Sequence, residues 1–246
     1  PKDARDHDDA CYAKPDDDPK IIGGHLIRVA IADVAHFVRS GDAIDNEARH
    51  RGNSTYFPDR VVPMLPDNLS GNLCSLHEGE KRACIVVKIK IDSVGNKISH
   101  KFTRAVIQSW ASLEYGEVQE VIDKGKGKPK VLDLVNTVIK PLYDAYSCLK
   151  ISRKARSPLD LNLPERKIEI DEKGIVKDVR FKERLEAHKL IEEFMILANV
   201  CAAETLSYKK TPTIFRVHEE PDKEKIEALR KTAVSVGLKL SKGHNI

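Results

Sequence analysis

The start of the chain concentrates carboxylates. Asp3, Asp6, Asp8 and Asp9 fall within the seven residues DARDHDD. Like charges at that spacing repel one another, and the pKa values of some rise unless a cation sits among them. Ligands that offer only oxygen suit a hard ion such as Mg²⁺, with Mn²⁺ able to substitute, better than zinc. Two such ions about 4 Å apart activate a water and stabilise a leaving oxygen in phosphodiester hydrolysis. The same composition also fits an acidic loop that only keeps the chain start solvated, and the residues alone leave both readings open. The segment does not resemble an EF-hand, because it lacks the central glycine and the closing bidentate glutamate. His7 reads as a neighbour of the carboxylates, since hard ions prefer oxygen.

The rest of the composition frames that site. The chain has 246 residues, 41% of them hydrophobic, enough for one sizeable core. Net charge is +4, unevenly distributed. Acidic residues crowd the first eighteen positions, while KGKGKPK (124–130) and KISRKAR (150–156) are basic. An acidic site in a mildly basic protein suits an enzyme that holds metal ions and attracts a polyanion, although such runs are also common on solvated faces. The five cysteines are dispersed and form no C-x-x-C pair, which favours reduced thiols and a cytoplasmic setting. No apolar run reaches the roughly 18–20 residues of a membrane span, and the charged N-terminus does not resemble a signal peptide.

The elements that must position these residues can be read from periodicity. LIRVAIA (26–32), ending at Asp33, reads as a buried strand. Residues 42–51 read as a helix with Asp42 as N-cap and Gly52 as its stop. Residues 84–92 and 98–107 form a predicted hairpin, and 167–171 with 175–181 a second one around Gly174. Residues 131–152 are helical in pattern, with a break expected at Pro141. The strongest helix is 183–207, with Ala187, Leu190, Ile191, Phe194, Met195, Ala198, Cys201 and Ala202 on one face and Lys189, Glu192 and Glu193 off it. A strand is expected at 213–218 and a helix at 221–236. Strands and helices mix without strict βαβ alternation, so the fold class is α+β, a mixed sheet with packed helices.

Several long segments occur in a fixed order: DARDHDDA, VAIADVAHFV (29–38), EARHRGNSTYFPDRVVPMLP (47–66), LSGNLCSL (69–76) and LIEEFMILAN (190–199). Together they closely resemble the RNB catalytic domain of the ribonuclease II/ribonuclease R family, and the likeness extends to FRVHEEPD (215–222). The resemblance implies a hydrolytic 3′→5′ exoribonuclease that degrades single-stranded RNA to nucleoside 5′-monophosphates. It implies Mg²⁺ held by Asp6, Asp8 and Asp9, with Asp8 and Asp9 catalytic and Asp8 the residue whose loss hurts chemistry most. Tyr56, in RGNSTYFP, matches an aromatic that clamps the 3′-terminal nucleotides by stacking. Asp3 reads as structural, in a pair with Arg5. Arg49 and Arg51 are candidates for phosphate contact or for simple helix-end capping. Asn199 is divided between function and core support.

Departures from the family pattern set further expectations. Its acidic stretch has the form D-x-x-D-x-x-D-x-D-D, and the first Asp falls just before Pro1. A later SPIRRY-like segment that supplies an assisting arginine does not occur by Ile246. Residues 1–246 are therefore expected to be one RNB-type domain, incomplete, without the flanking cold-shock and S1 modules, and such a stretch need not be a competent enzyme alone. It is expected to be monomeric, with no membrane partner. The alternative is a nuclease-derived RNA-binding or interaction protein that has lost activity.

Overall fold

A computed structural model describes residues 6–156, 166–171, 174–181, 183–217 and 219–240. The chain is α+β. Its centre is a four-stranded sheet, order β1-β2-β5-β6, made by β1 (Asp9–Pro15), β2 (His25–Ala32), β5 (Lys81–Ile91) and β6 (Lys97–Gln108). Between β2 and β5 lie α1 (Val34–Phe37), α2 (Ala43–Arg51) and a small hairpin of β3 (Thr55–Tyr56) and β4 (Val61–Val62). A π-helical turn at Leu69–Leu73 follows. After the sheet come α3 (Tyr115–Lys124), α4 (Pro129–Asp133), α5 (Lys140–Arg156), the hairpin β7 (Arg166–Ile170)–β8 (Val176–Phe181), α6 (Glu186–Tyr208) and α7 (Lys223–Ser235). The ladders between these strands are antiparallel, and an isolated parallel bridge joins Glu78 to Ser109.

Side chains alternate across the sheet, and the two faces bury different things. Ala13, Ile27, Val29, Val87, Ile89 and Ile91 point one way, into the main core with Ala145, Tyr146 and Leu149 of α5 and Leu190, Phe194 and Cys201 of α6. Ala30, Ala32 and Cys84 point the other way and pack with Leu69, Cys74 and Leu76. This second, smaller cluster covers only the end of the sheet near Asp8. β1 was not foreseen, because charge at both ends of DACYAKP hides the inward alternation of Cys11 and Ala13.

Most expected elements form close to their expected bounds. Asp42 caps α2 by accepting from the Asp45 N–H at 2.7 Å, and Gly52 ends it at φ 78°. Three expectations need correction. The irregularity in the 131–152 helix is a π-helical turn at Val135–Ile139, and Pro141 sits in the first turn of α5, where proline is tolerated. Residues 213–217 form no strand, and His218 lies outside the described residues. Ile214 is 100% exposed, so a β-prone sequence without a ladder partner stays irregular. Glu193 is not off the buried face of α6. It is 4% exposed and ion-paired with Arg153 and, at 3.7 Å, with Arg156 of α5.

Cα packing separates two compact units, 1–202 and 203–246. The acidic segment, the sheet and α6 as far as Ala202 all lie in the first. In the second, α7 ends in a tight turn in which the Leu238 N–H donates to the Ala233 carbonyl at 2.8 Å, with Gly237 at φ 78°. Among the described residues no helix is long and apolar enough to cross a membrane.

Candidate active site

The acidic segment enters the sheet as β1 begins. The Ala32 N–H donates to the Asp8 carbonyl at 2.9 Å, which extends the β1–β2 ladder to Asp8. On the other side the Leu76 N–H donates to the His7 carbonyl at 2.8 Å, and the His7 N–H donates to Ser75 Oγ at 2.9 Å. Ser75 is fully buried. Backbone on both sides therefore fixes Asp8. The His7 ring packs edge-on against His77, centroids 5.7 Å apart.

Asp6 and Asp8 line one cavity of about 310 Å³. Its walls carry Tyr56, the hydroxyl-bearing Ser54 and Ser70, Cys74, and the apolar Val34, Met64 and Leu65. The structure thus brings together three of the four predicted site residues, which are separated by up to fifty positions in the chain. Asp9 is the exception. Successive strand residues face opposite ways, and Asp9 does not line the cavity but lies in the electrostatic range of Cys11 and Tyr115. Asp3 and Arg5 lie outside the described residues.

The electrostatics show strained carboxylates. Partial burial, then the charge of Asp6, raises the pKa of Asp8 against an opposing effect of His7. Burial, then the charge of Asp8, raises Asp9. Burial, with repulsion from Asp8 and Asp33, also raises the Cys74 thiol, which keeps this soft group protonated beside the acids. Both charged groups at the cavity offer oxygen, and the nearby hydroxyls add more, so the donor set fits a hard cation. Among the described residues no group of three or more His, Cys, Asp or Glu is gathered as a metal cage. That is compatible with magnesium, which commonly takes one or two carboxylates and keeps water or substrate phosphate as its other ligands.

Tyr56 is positioned by α2 and the β3–β4 hairpin. It pairs with Val61 across the hairpin, and the residue is 69% exposed. Ser54 Oγ accepts from the Met64 N–H at 2.9 Å, closing the base of the hairpin. Arg51 Nη1 donates to the Pro63 carbonyl at 2.9 Å while its Nε donates to Glu47 at 2.8 Å. Arg49 pairs with Asp45 at 3.3 Å. Both arginines are engaged within the protein, and Arg51 fastens the loop that carries Tyr56. Asn199 is exposed and needs no buried partner.

Sequence reasoning missed Ser54, Ser70, Met64 and Leu65, because single hydroxyls and apolar side chains in loops carry no spacing signal. It also treated Asp33 only as a strand end. Asp33 is 3% exposed and held at both oxygens by Arg104, at 2.8 and 3.1 Å. This bidentate pair locks the end of β2 to β6 beside the cavity floor.

The RNB domain family model matches residues 1–245. Ribonuclease R of Escherichia coli is 37% identical over 243 residues, covering 99% of this chain and 29% of that protein. The chain therefore spans under a third of the length of that relative. A solved structure described as Mycoplasma genitalium RNase R in complex with ribose methylated single-stranded RNA superposes with TM-score 0.90 at 31% identity, covering 100% of this chain and 37% of that one. Yeast Ssd1, described as a pseudonuclease, shares the fold at TM-score 0.70 and 18% identity over 94% of this chain and 27% of its own.

Proposed function

The chain belongs to the RNB domain family, and from that membership we propose that it is the front part of the catalytic domain of a hydrolytic 3′→5′ exoribonuclease acting on single-stranded RNA. The observation that carries this reading is the shared cavity of Asp6, Asp8 and Tyr56. Two carboxylates and an exposed ring on one wall are what a nuclease needs to hold a phosphodiester and the base beside it.

Asp6 and Asp8 are assigned to hold Mg²⁺, with Mn²⁺ a substitute, and Asp9 is the third carboxylate that the family pattern assigns to the metal. When bound, such an ion supplies charge stabilisation for the scissile phosphate and a water of lowered pKa. The protein's own part is placement. Asp8, fixed by backbone on two sides, sets the carboxylate against the terminal phosphodiester. Tyr56 stacks on a 3′-terminal base, a contact of about 1–3 kcal/mol that tolerates any sequence. The apolar wall of Val34, Met64 and Leu65 thins the solvent around the reacting group, which strengthens electrostatic contacts there. The products are nucleoside 5′-monophosphates. The protein works as a monomer in the cytoplasm, a setting supported by five cysteines of which none forms a disulfide.

A second reading is an RNA-binding protein without activity, which a pseudonuclease with the same fold keeps in view. The two are separated by incubating the purified full-length protein with uniformly labelled single-stranded RNA, with and without Mg²⁺, and chromatographing the products. Magnesium-dependent release of 5′-mononucleotides supports the enzyme. RNA binding without release at any metal concentration supports the inactive protein.

A further inference from the structure

The basic runs that first suggested a polyanion partner are largely occupied by internal pairs. Lys124 pairs with Glu120, Lys128 with Glu117 and Lys130 with Glu78. Lys150 pairs with Glu186, and Arg153 and Arg156 with Glu193. Unpaired cations collect elsewhere. Strand register places Tyr12 opposite Arg28, Arg28 opposite Lys88 and Lys88 opposite Lys101, one row across all four strands. Arg28, Lys88 and Lys101 are exposed, and no carboxylate among the described residues pairs with any of them. Arg28 lies over the Tyr12 ring, 5.8 Å from its centroid.

Directly opposed residues in antiparallel strands have Cβ atoms about 4.5–5.5 Å apart, and like charges so placed destabilise a sheet. Three in succession call for a counter-charge that no described residue supplies by pairing with them. The row lies on the same sheet face as Asp8, because Asp8 and Tyr12 are an even number of residues apart on one strand path. Four residues at about 3.3 Å each put its Tyr12 end about 13 Å from Asp8, and each further strand carries the row about 4.8 Å sideways. The smaller core cluster covers the Asp8 end of this face and leaves the row open.

We propose that Arg28, Lys88 and Lys101 form a contact surface for the phosphate backbone of an RNA strand whose 3′ end lies in the acidic cavity. The inference takes its ligand from the proposed function, but it concerns a second surface and does not need hydrolysis. Each cation meets a phosphate, and Tyr12 orients Arg28 through its ring face. Such contacts ignore sequence, as a track for a degraded strand requires.

The test is equilibrium binding of a labelled single-stranded RNA in EDTA, read by anisotropy across a salt series. Each phosphate contact in a single strand contributes about 0.7 to the slope of log affinity against log salt. The triple variant Arg28→Gln/Lys88→Gln/Lys101→Gln should lower that slope by about 2 and weaken binding at least tenfold at low salt. Its thermal unfolding should be unchanged or raised, since a repulsive row is removed. The charge-keeping set Arg28→Lys/Lys88→Arg/Lys101→Arg should retain the wild-type slope. An unchanged slope in the triple variant, with wild-type RNA affinity intact, would overturn the surface while leaving the proposed function standing. Wild-type protein without RNA affinity would remove both. Equal, row-dependent affinity for polyglutamate would reassign the surface to an acidic protein and overturn the proposal as well.

Discussion

At Asp8 burial and the neighbouring Asp6 act in the same direction, each disfavouring the charged form. The folded state therefore binds a proton at Asp8 more tightly than the unfolded chain does. Linkage gives the sign: this carboxylate lowers stability as pH rises from the ordinary aspartate value through its raised one, and has no effect below both. Without metal, Asp8→Asn should unfold at or above the wild-type temperature at neutral pH, and the difference should vanish in acid. Added Mg²⁺ should raise the wild-type Tm by mass action and leave that of Asp8→Asn nearly unchanged. Differential scanning fluorimetry at several pH values and metal concentrations checks both. A second prediction at this scale concerns Tyr56. On the proposed reading, stacking on Tyr56 fixes the register of the last bases against the metal, whereas phosphate contacts hold the backbone loosely. Tyr56→Ala in the full-length enzyme should change the length of the smallest end product more than the initial rate on long RNA. A denaturing gel of a labelled substrate reads the outcome, and an unchanged end product would make this tyrosine a packing residue. The carboxylates and Tyr56 were legible in the sequence because clustered acids and a long motif mark them. The opposite facing of Asp9 was not, because it depends on where β1 begins.

Among the elements, α6 shows how tertiary contacts override local pattern. Its apolar stripe predicted the helix and its core face, but Glu193 was assigned to solvent, since nothing in LIEEFMILAN announces that Arg153 and Arg156 stand opposite on α5. Removing Glu193 leaves Arg153 and Arg156 at 22% and 56% exposure, where water reaches them in part, so the cost falls below the roughly 3–5 kcal/mol of a fully buried pair. Glu193→Ala should therefore lower Tm by a few degrees, about 2–4 °C for each kcal/mol lost in a domain of this size. An unchanged melting curve would contradict the buried pair. At the start of the same helix, Lys189 and then Lys150 hold Glu186 down to about 2. A depressed carboxylate contributes stability above the ordinary glutamate value and loses it as pH falls toward 2. Glu186→Gln should flatten that part of the stability–pH curve in acid denaturation, and a curve identical to wild type would remove the assignment. The missed strand at 213–217 teaches the reverse lesson: β-branched residues suggest a strand, but only a partner edge makes one. Pro141 was misjudged because a proline signal does not say whether it breaks a helix or begins one.

At the scale of the whole chain, one face of the sheet divides into a covered end beside Asp8 and an open end that carries the basic row. The same β1–β2 ladder that buries Cys11, Ala13 and Val29 on one face sets Asp8 beside the cavity on the other. The strands β2, β5, β6, β7 and β8 and the α+β class were legible from periodicity. The gathering of Asp6, Asp8 and Tyr56 was not, because it depends on how α2 and the β3–β4 hairpin fold back over the end of β2. The central claim is that this cavity is where phosphodiester hydrolysis occurs. The most direct measurement is a time course of 5′-mononucleotide release from labelled single-stranded RNA at saturating Mg²⁺, comparing wild-type full-length enzyme with Asp8→Asn, with RNA affinity measured in parallel. The predicted result is loss of release at every substrate length with RNA affinity largely retained. Undiminished release by Asp8→Asn would contradict the assignment of this cavity as the catalytic site.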